Sequence, residues 1–520
     1  MRVLVITGRL AEAAVRRTVE GLRGVDVKAL PVSVASFITP GFAASALRRM
    51  SLEDYDMILM PGTVSGDVSR VEEATGVPTY KGPVHFADIP LALSSGVQLS
   101  RTVPASDLIR DQAARRTLEE LERAEKDWES VIRSRGGIVV GGEGRAMPVS
   151  DGLPMRVIAE VVNAPLLSLA EVADRAMYYR GQGANVIDIG MLAGDPRPET
   201  VGPLVSAVRG ATGLPVSIDT LDPGEIGAAA KAGVDLVLSL DAGNLEETVP
   251  LLTEQAVVVL PTDMSRGRLP GTPEERAQAL DENIKLAREL GVTKIIGDLV
   301  AEPLLRPGML VALESYRRFK EMRPEVPLLF GIGNATELID ADSQGVNAAL
   351  AALAREAGAN MLHVPEHSVK ARGSVREVVR ASQMMFLAEA KGTAPKDLGV
   401  DLLLLKEKRW TEEAYDGSVE GLARVARGVG DADFRPDEAG WFKVQVDRRA
   451  GEVVALHFPP GSDAPGTIIR GVDAREMYQT IIRLNLITKL DHAAYLGREL
   501  EKAALALRLG RSYLQDEDLF

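Results

Sequence analysis

Asp188, Asp219 and Asp298 stand at or near the ends of short apolar runs, at 185–190, 215–219 and 293–298. Asn163, Ser239, Asp263, Asn334 and His363 hold comparable places at or just past the ends of other such runs. If the runs are strands of one barrel, these polar groups face a common mouth, where barrel enzymes keep their chemistry. A barrel with no ligand to bind would close its strand ends with Ser, Thr or Gly and bury fewer charges. Converging carboxylates permit two physical readings. One is a site for a hard, oxygen-seeking cation such as magnesium. The other is recognition of a ligand edge that presents parallel N–H donors, as a 2-amino-4-oxo-pyrimidine ring does, since a carboxylate accepts such a pair as it accepts an arginine fork. The same charges would also stabilise a cation developing on a heterocycle.

Composition narrows the chemistry further. The 520 residues contain no cysteine, which excludes disulfides, Fe–S clusters, thiolate zinc sites and cysteine nucleophiles. Only five histidines are present, and no His-Glu-x-x-His pattern occurs. With 74 acidic against 60 basic residues the net charge is −14, which argues against bulk binding of nucleic acid or an anionic membrane. The first residues, Met1-Arg-Val-Leu-Val-Ile-Thr7, read as a buried strand rather than a secretion signal. No apolar run approaches the ~20 residues of a membrane span. A cytoplasmic protein is expected.

The elements that must position these residues follow from periodicity. Eight apolar runs (156–163, 185–190, 215–219, 235–239, 256–260, 293–298, 327–332 and 360–364) are each followed by an Ala/Leu/Glu/Arg-rich segment of helical period, often opened by Asp, Pro or Glu. Residues 152–392 therefore predict a (β/α)8 barrel. Residues 1–110, with strands expected at 2–7, 26–32 and 55–61, predict a small doubly wound α/β domain. Its turn Pro61-Gly-Thr-Val-Ser-Gly-Asp67 could cradle an anion on backbone amides or be an ordinary strand-to-helix turn. Residues 111–151 read as a helical linker and lead-in, solvated over 111–135. Residues 393–520 predict an α+β domain with a hairpin at 438–458 and a long helical tail from Ala474 onward.

Within the barrel, Gly183-Ala-Asn-Val-Ile-Asp-Ile-Gly190 resembles the second-strand motif of dihydropteroate synthases and pterin-dependent methyltransferases. Val216-Ser-Ile-Asp-Thr220 with Asp222-Pro, and Ala232-Gly-Val-Asp-Leu-Val-Leu-Ser239, are similar to their next two strands in order and spacing. The three-part layout resembles the archaeal-type dihydropteroate synthase-related proteins associated with tetrahydromethanopterin. The resemblance implies that Asp219, Ser239 (where the family usually has Asn) and Asp298 bind the donor edge of a reduced pterin, supported by Asp188. It implies that Asn163 lies near the leaving group or its magnesium ion. The implied reaction joins a dihydropterin methyl diphosphate to an arylamine, a ribofuranosyl-aminobenzene phosphate in tetrahydromethanopterin synthesis.

The departures from the synthase pattern carry equal weight. The synthase's Thr-Pro-Asp-Ser-Phe loop is replaced by Asn163-Ala-Pro-Leu-Leu-Ser168. Its Ser-Arg-Lys segment is replaced by Gly331-Ile-Gly-Asn-Ala-Thr336, in which Asn334 resembles the asparagine of the methyltransferases. Its final Arg-x-His is missing from Leu362-His-Val-Pro-Glu-His-Ser-Val-Lys-Ala-Arg372. His363, Lys370 and Arg372 are candidates to bind an anion there. Arg266 and Arg268 are candidate phosphate contacts, with a solvated loop as the alternative. The segment Asp491-His-Ala-Ala-Tyr-Leu-Gly-Arg-Glu499 is similar to part of the corrinoid-carrying component of tetrahydromethanopterin S-methyltransferase. Two further functions stay open beside the synthase: a methyltransferase working with a corrinoid protein, and a non-catalytic pterin-binding protein. A homodimer through the barrel's outer helices is expected.

Overall fold

The computed structural model describes residues 1–142, 144–406, 420–422, 424–428, 430 and 436–520, with the side chains of 110–114, 116 and 420 left aside. The chain divides into two compact units, Met1–Leu405 and Lys406–Phe520.

The first unit opens with four strands, β1 (Val3–Gly8), β2 (Val25–Leu30), β3 (Met57–Met60) and β4 (Thr79–Lys81), all parallel in the order β2-β1-β3-β4. This is the expected doubly wound sheet with one strand more than the sequence predicts. β4 is only Thr-Tyr-Lys between Pro78 and Gly82, with no apolar run to mark it. Two amides of the turn after β3 are already committed within the chain. Gly62 N–H donates to the Pro83 carbonyl (3.1 Å) and Val64 N–H to that of Pro61 (3.0 Å). The carboxylate of Asp67 is taken up locally, accepting from the N–H and hydroxyl of Ser69 at 2.8 and 2.5 Å.

The linker is less solvated than its charges suggest. Its two helices, Arg110–Lys126 and Trp128–Arg135, are tied to the barrel. Leu121 is buried with Leu387, Ala388, Leu398 and Val400. Glu125 meets the buried Arg156 at 2.6 Å. The segment then ends in a two-stranded hairpin, β5 (Ile138–Val140) and β6 (Met147–Val149), absent from the sequence-based expectation. Val140, Met147 and Val149 pack against Ile158, Val186, Leu236, Ile296, Leu329 and Met361, so the hairpin stops the N-terminal end of the barrel. Its apolar run is too short to stand out, and burying it requires the barrel to exist.

All eight expected barrel strands are present: β7 (Arg156–Val161), β8 (Val186–Gly190), β9 (Val216–Asp219), β10 (Leu236–Leu240), β11 (Ala256–Val259), β12 (Ile295–Gly297), β13 (Leu329–Gly331) and β14 (Met361–Pro365). They pair in parallel in the order β12-β11-β10-β9-β8-β7-β14-β13, and a parallel bridge from Gly297 to Leu328 brings the two ends together. The helices start where the sequence signals them, with complete capping boxes at Ser168/Glu171 and Thr272/Glu275 and an Asp222 cap. Alternation along each strand separates two environments. Val157, Ala159, Val161, Ile187 and Ile189 pack outward under the helices. Ile158 and Val186 point inward, and the inward residues one step further up are Glu160 and Asp188, which are register partners.

The second unit contains an antiparallel sheet of β15 (Trp441–Asp447), β16 (Glu452–Phe458) and β17 (Thr467–Gly471), followed by helices Ala474–Arg483 and Leu490–Leu509. Phe442, Val444, Val453 and Ala455 form its core with Met477, Ile481, Leu496 and Leu500. The helical tail expected from Ala474 onward is thus two helices, and Asp437 fixes the connection between them. Its buried carboxylate accepts from the N–H groups of Ala439, Thr488 and Lys489, from the Thr488 hydroxyl and from His492 Nδ1, all at 2.5–3.0 Å. These bonds hold its pKa well below the usual carboxylate range. Asp437→Ala leaves several buried donors without a partner, and we expect it to destabilise this unit by about 2–4 kcal/mol in urea titrations. Because the pKa is depressed, the wild-type contribution is present above the unfolded aspartate pKa and disappears only on strong acidification.

Candidate functional site

The C-terminal mouth of the barrel gathers the charges that the sequence points to. Asp188 on β8 is fully buried; its Oδ1 accepts the Ser217 hydroxyl at 2.6 Å and its Oδ2 lies 3.4 Å from His363 Nε2 on β14. Glu160 Oε2 on β7 lies 3.7 Å from the same nitrogen. Gly190 is what makes room for this glutamate, since a Cβ there would come within 2.2 Å of Glu160 Oε1. Glu160, Asp188, Ser217 and His363 thus form a polar layer inside the barrel, above the apolar layers that fill its lower half.

Asp219 and Ser239 meet at the ends of β9 and β10, where the hydroxyl donates to Asp219 Oδ1 at 2.6 Å. Asp298 follows β12. Its Oδ1 accepts from Val300 N–H at 2.7 Å and lies 2.5 Å from the hydroxyl of Tyr316, a fully buried residue on the helix Met309–Met322. The Tyr316 oxygen is also 2.7 Å from the Leu329 carbonyl. One phenolic proton can serve only one of these two acceptors. The hydroxyl thus donates either to the Asp298 carboxylate or to the Leu329 carbonyl. Around the mouth, Asn163, Ser239 and Val300 all take positive φ (52°, 73° and 65°), a conformation costing such residues on the order of 1–3 kcal/mol that collects at functional sites.

Electrostatics follow from burial. Burial raises Asp298, and burial with the neighbouring Asp188 raises Asp219. Glu160 is pushed up to about 7 by burial, opposed by His363 and helped by Asp188 and Asp219. Burial pulls His363 down, but its hydrogen bond to Asp188 and the charges of Glu160, Asp188 and Asp219 outweigh this and hold it at about 9. The mouth therefore carries an imidazolium between Asp188 and Glu160, beside Asp219 and Asp298. Ligand atoms of Glu160, Asp188 and His363 all fall within 4.8 Å of one another, so the same three side chains could hold a divalent cation if it displaced the proton of the imidazolium.

The remaining candidates make no hydrogen bond or ion pair with this cluster, among the described residues. Asn163 is half-buried just after β7. Asn334 is exposed and donates to the Ala301 carbonyl at 2.6 Å. Arg266 is 81% exposed and paired with Asp263 at 3.2 Å. Lys370 donates to the Ile339 carbonyl and lies 3.4 Å from Asp340. Arg372 is exposed, with Tyr178 and Glu366 as its partners. None of these three cations is bonded to the central carboxylates, among the described residues. The sequence offers His363 as an anion-binding group; in the fold its charge is already matched by Glu160 and Asp188.

Two participants are unmarked in the sequence reading. Glu160 does carry a signal, a charged residue at an inward position of a strand buried on both faces. Tyr316 carries none, because it reaches Asp298 from a helix.

Residues 162–365 match the family described as pterin binding enzyme, residues 1–84 a family of unknown function (DUF6513) and residues 436–516 the family PterinBD-DUF4346. The uncharacterized protein MJ0107 of Methanocaldococcus jannaschii is 39% identical over 533 residues, spanning 100% of this chain and 99% of that protein. The chain belongs to the family of this archaeal protein. Its barrel is a member of the pterin-binding superfamily that includes the dihydropteroate synthases. A Ycf91-like protein of Nostoc is 31% identical over 123 residues, 19% of this chain and 97% of its own. Solved dihydropteroate synthases match about half of the chain. That of Xanthomonas albilineans with 4-aminobenzoic acid is 20% identical with a TM-score of 0.41, covering 49% of this chain and 99% of that one. That of Yersinia pestis with a pterine-sulfa conjugate is 18% identical with a TM-score of 0.39, covering 49% of this chain and 100% of that one. Among the described residues of this family member, no helix is long and apolar enough to cross a membrane.

Proposed function

We propose that the barrel binds a reduced pterin in its mouth and acts as a transferase of a group carried on the pterin, a methyl group on N5 under the reading we favour. Charge carries this reading. The mouth presents Glu160, Asp188, Asp219 and Asp298 around the cation His363, whose charge is already matched. An N5-methyl tetrahydropterin becomes a cation when N5 is protonated, and these carboxylates would stabilise that state. An external nucleophile, the reduced corrinoid of a partner protein in this reading, attacks the methyl carbon. The C–N5 bond breaks and its electron pair stays on N5, leaving a neutral pterin. Asp219, Ser239 and Asp298 would hold the ring edge, Asp188 would brace the floor, and His363 is the internal acid of the site.

The synthase remains the second reading, supported by the likeness of β8, β9 and β10 to synthase motifs. It asks the site to hold a diphosphate. Magnesium would enter with that substrate, held by Asn163 and the diphosphate oxygens, and an arylamine would attack the pterin's methylene carbon as diphosphate leaves. One experiment separates the readings. The full chain is incubated with N5-methyl tetrahydropterin and reduced corrinoid, and separately with magnesium, dihydropterin methyl diphosphate and 4-aminobenzoate or its ribofuranosyl phosphate derivative, with mass-spectrometric readout. Demethylated pterin with methylcorrinoid is the expected result. A pterin–arylamine adduct with free diphosphate, lost on chelation, would replace it by the synthase. Pterin binding without product in either mixture would leave a binding protein.

A further inference from the structure

The N-terminal domain holds a cavity of about 240 Å³ that the barrel's chemistry does not use. Its place is set by topology. From β1 the chain goes first to β2 on one side and then crosses to β3 on the other, so β1 and β3 flank the point where the connections diverge. In open α/β sheets that point, beyond the C-terminal strand ends, is where ligands bind. The cavity is lined there by Thr7 at the end of β1 and by Leu59 and Met60 at the end of β3. The loops after β2, β3 and β4 add Ala35, Thr63 and Val84. Gly62 keeps the wall thin, since a Cβ there would come within 2.5 Å of the Gly82 carbonyl.

The lining states what would fit. Among the described residues no charged side chain lines the cavity, and the adjoining turn brings its own Asp67 carboxylate. A phosphate or carboxylate would find no counter-charge. The walls are aliphatic apart from a few hydroxyls and one aromatic ring, Phe86. One hydroxyl, Thr63 Oγ1, is buried without any hydrogen-bond partner, which costs free energy unless a ligand satisfies it. We infer that the N-terminal domain carries a second small-molecule site at this switch point, for an uncharged ligand with an apolar ring body and a hydrogen-bonding group that meets Thr63.

The neutral naphthalene ketone prodan matches that description and reports apolar burial by a blue shift of its emission. Titration of the full chain is expected to give saturable, blue-shifted binding. Thr63→Val keeps the shape and loses the hydroxyl, so it should weaken binding about five- to tenfold. Ala35→Phe fills the cavity and should abolish it, while naphthoate, similar in size but anionic, should bind at least about tenfold more weakly than prodan. Circular dichroism checks that both variants fold. Absence of saturable binding, equal binding of naphthoate, or prodan affinity unmoved by both substitutions would overturn the site. The last outcome is also what occupancy of the barrel mouth instead would give.

Discussion

Asp298→Asn weakens binding of a reduced pterin by roughly ten- to a hundredfold, corresponding to loss of a charge-assisted acceptor worth about 1.5–3 kcal/mol. The asparagine has nearly the same shape and keeps one carbonyl oxygen for Val300 N–H, so the change is electrostatic rather than steric. Only an ionised carboxylate can accept from both donors of the pterin's amino edge at once. In the free barrel, burial raises the pKa of Asp298, and the hydrogen bonds from the Tyr316 hydroxyl and Val300 N–H oppose that rise. Wild-type affinity should therefore fall as the pH drops through the raised pKa of Asp298, and the variant should lose this part of the pH dependence. Calorimetric titration with 6-hydroxymethyl-dihydropterin between about pH 5 and 8 reads both effects. Unchanged affinity would remove Asp298 from the site.

His363→Gln is expected to cost about 3–5 kcal/mol of folding stability near neutral pH, as removal of one partner from a buried ionic cluster does. Without the imidazolium, Asp188 and Glu160 face each other across the barrel interior, with Ser217 as Asp188's remaining partner. The sign with pH is definite. His363 is raised to about 9 from an ordinary 6.5, so its contribution is fully present below 6.5 and is lost as the pH rises through 9. Urea melts of wild type and variant should differ most near the ordinary histidine value of 6.5 and converge above about 9. A difference independent of pH would mean that His363 acts through packing alone.

Most of the frame is legible along the chain because it rests on local and periodic signals. A parallel strand buried on both faces is an unbroken apolar run, and its helix is announced by a cap, so all eight βα units can be placed to within a few residues. The strand-end aspartates are legible for the same reason, since the barrel topology dictates where strand ends point. Which groups meet is a different matter. Glu160 and His363 come from the first and last strands of the barrel, and only its closure through β7 and β14 sets them face to face. Tyr316 reaches Asp298 because of how one helix packs, a rotation that periodicity does not specify to the ångström. The arginines after β11 and the cations after β14 are visible as residues, but their pairing with nearby acids depends on loop conformation. Charge balance at the mouth is a sum over such meetings. Residue order alone is enough to specify a pterin-type barrel with acidic strand ends. That His363 arrives there with its charge already matched is a property of the packed chain, because ion pairing is set by distance in space and not by order along the sequence.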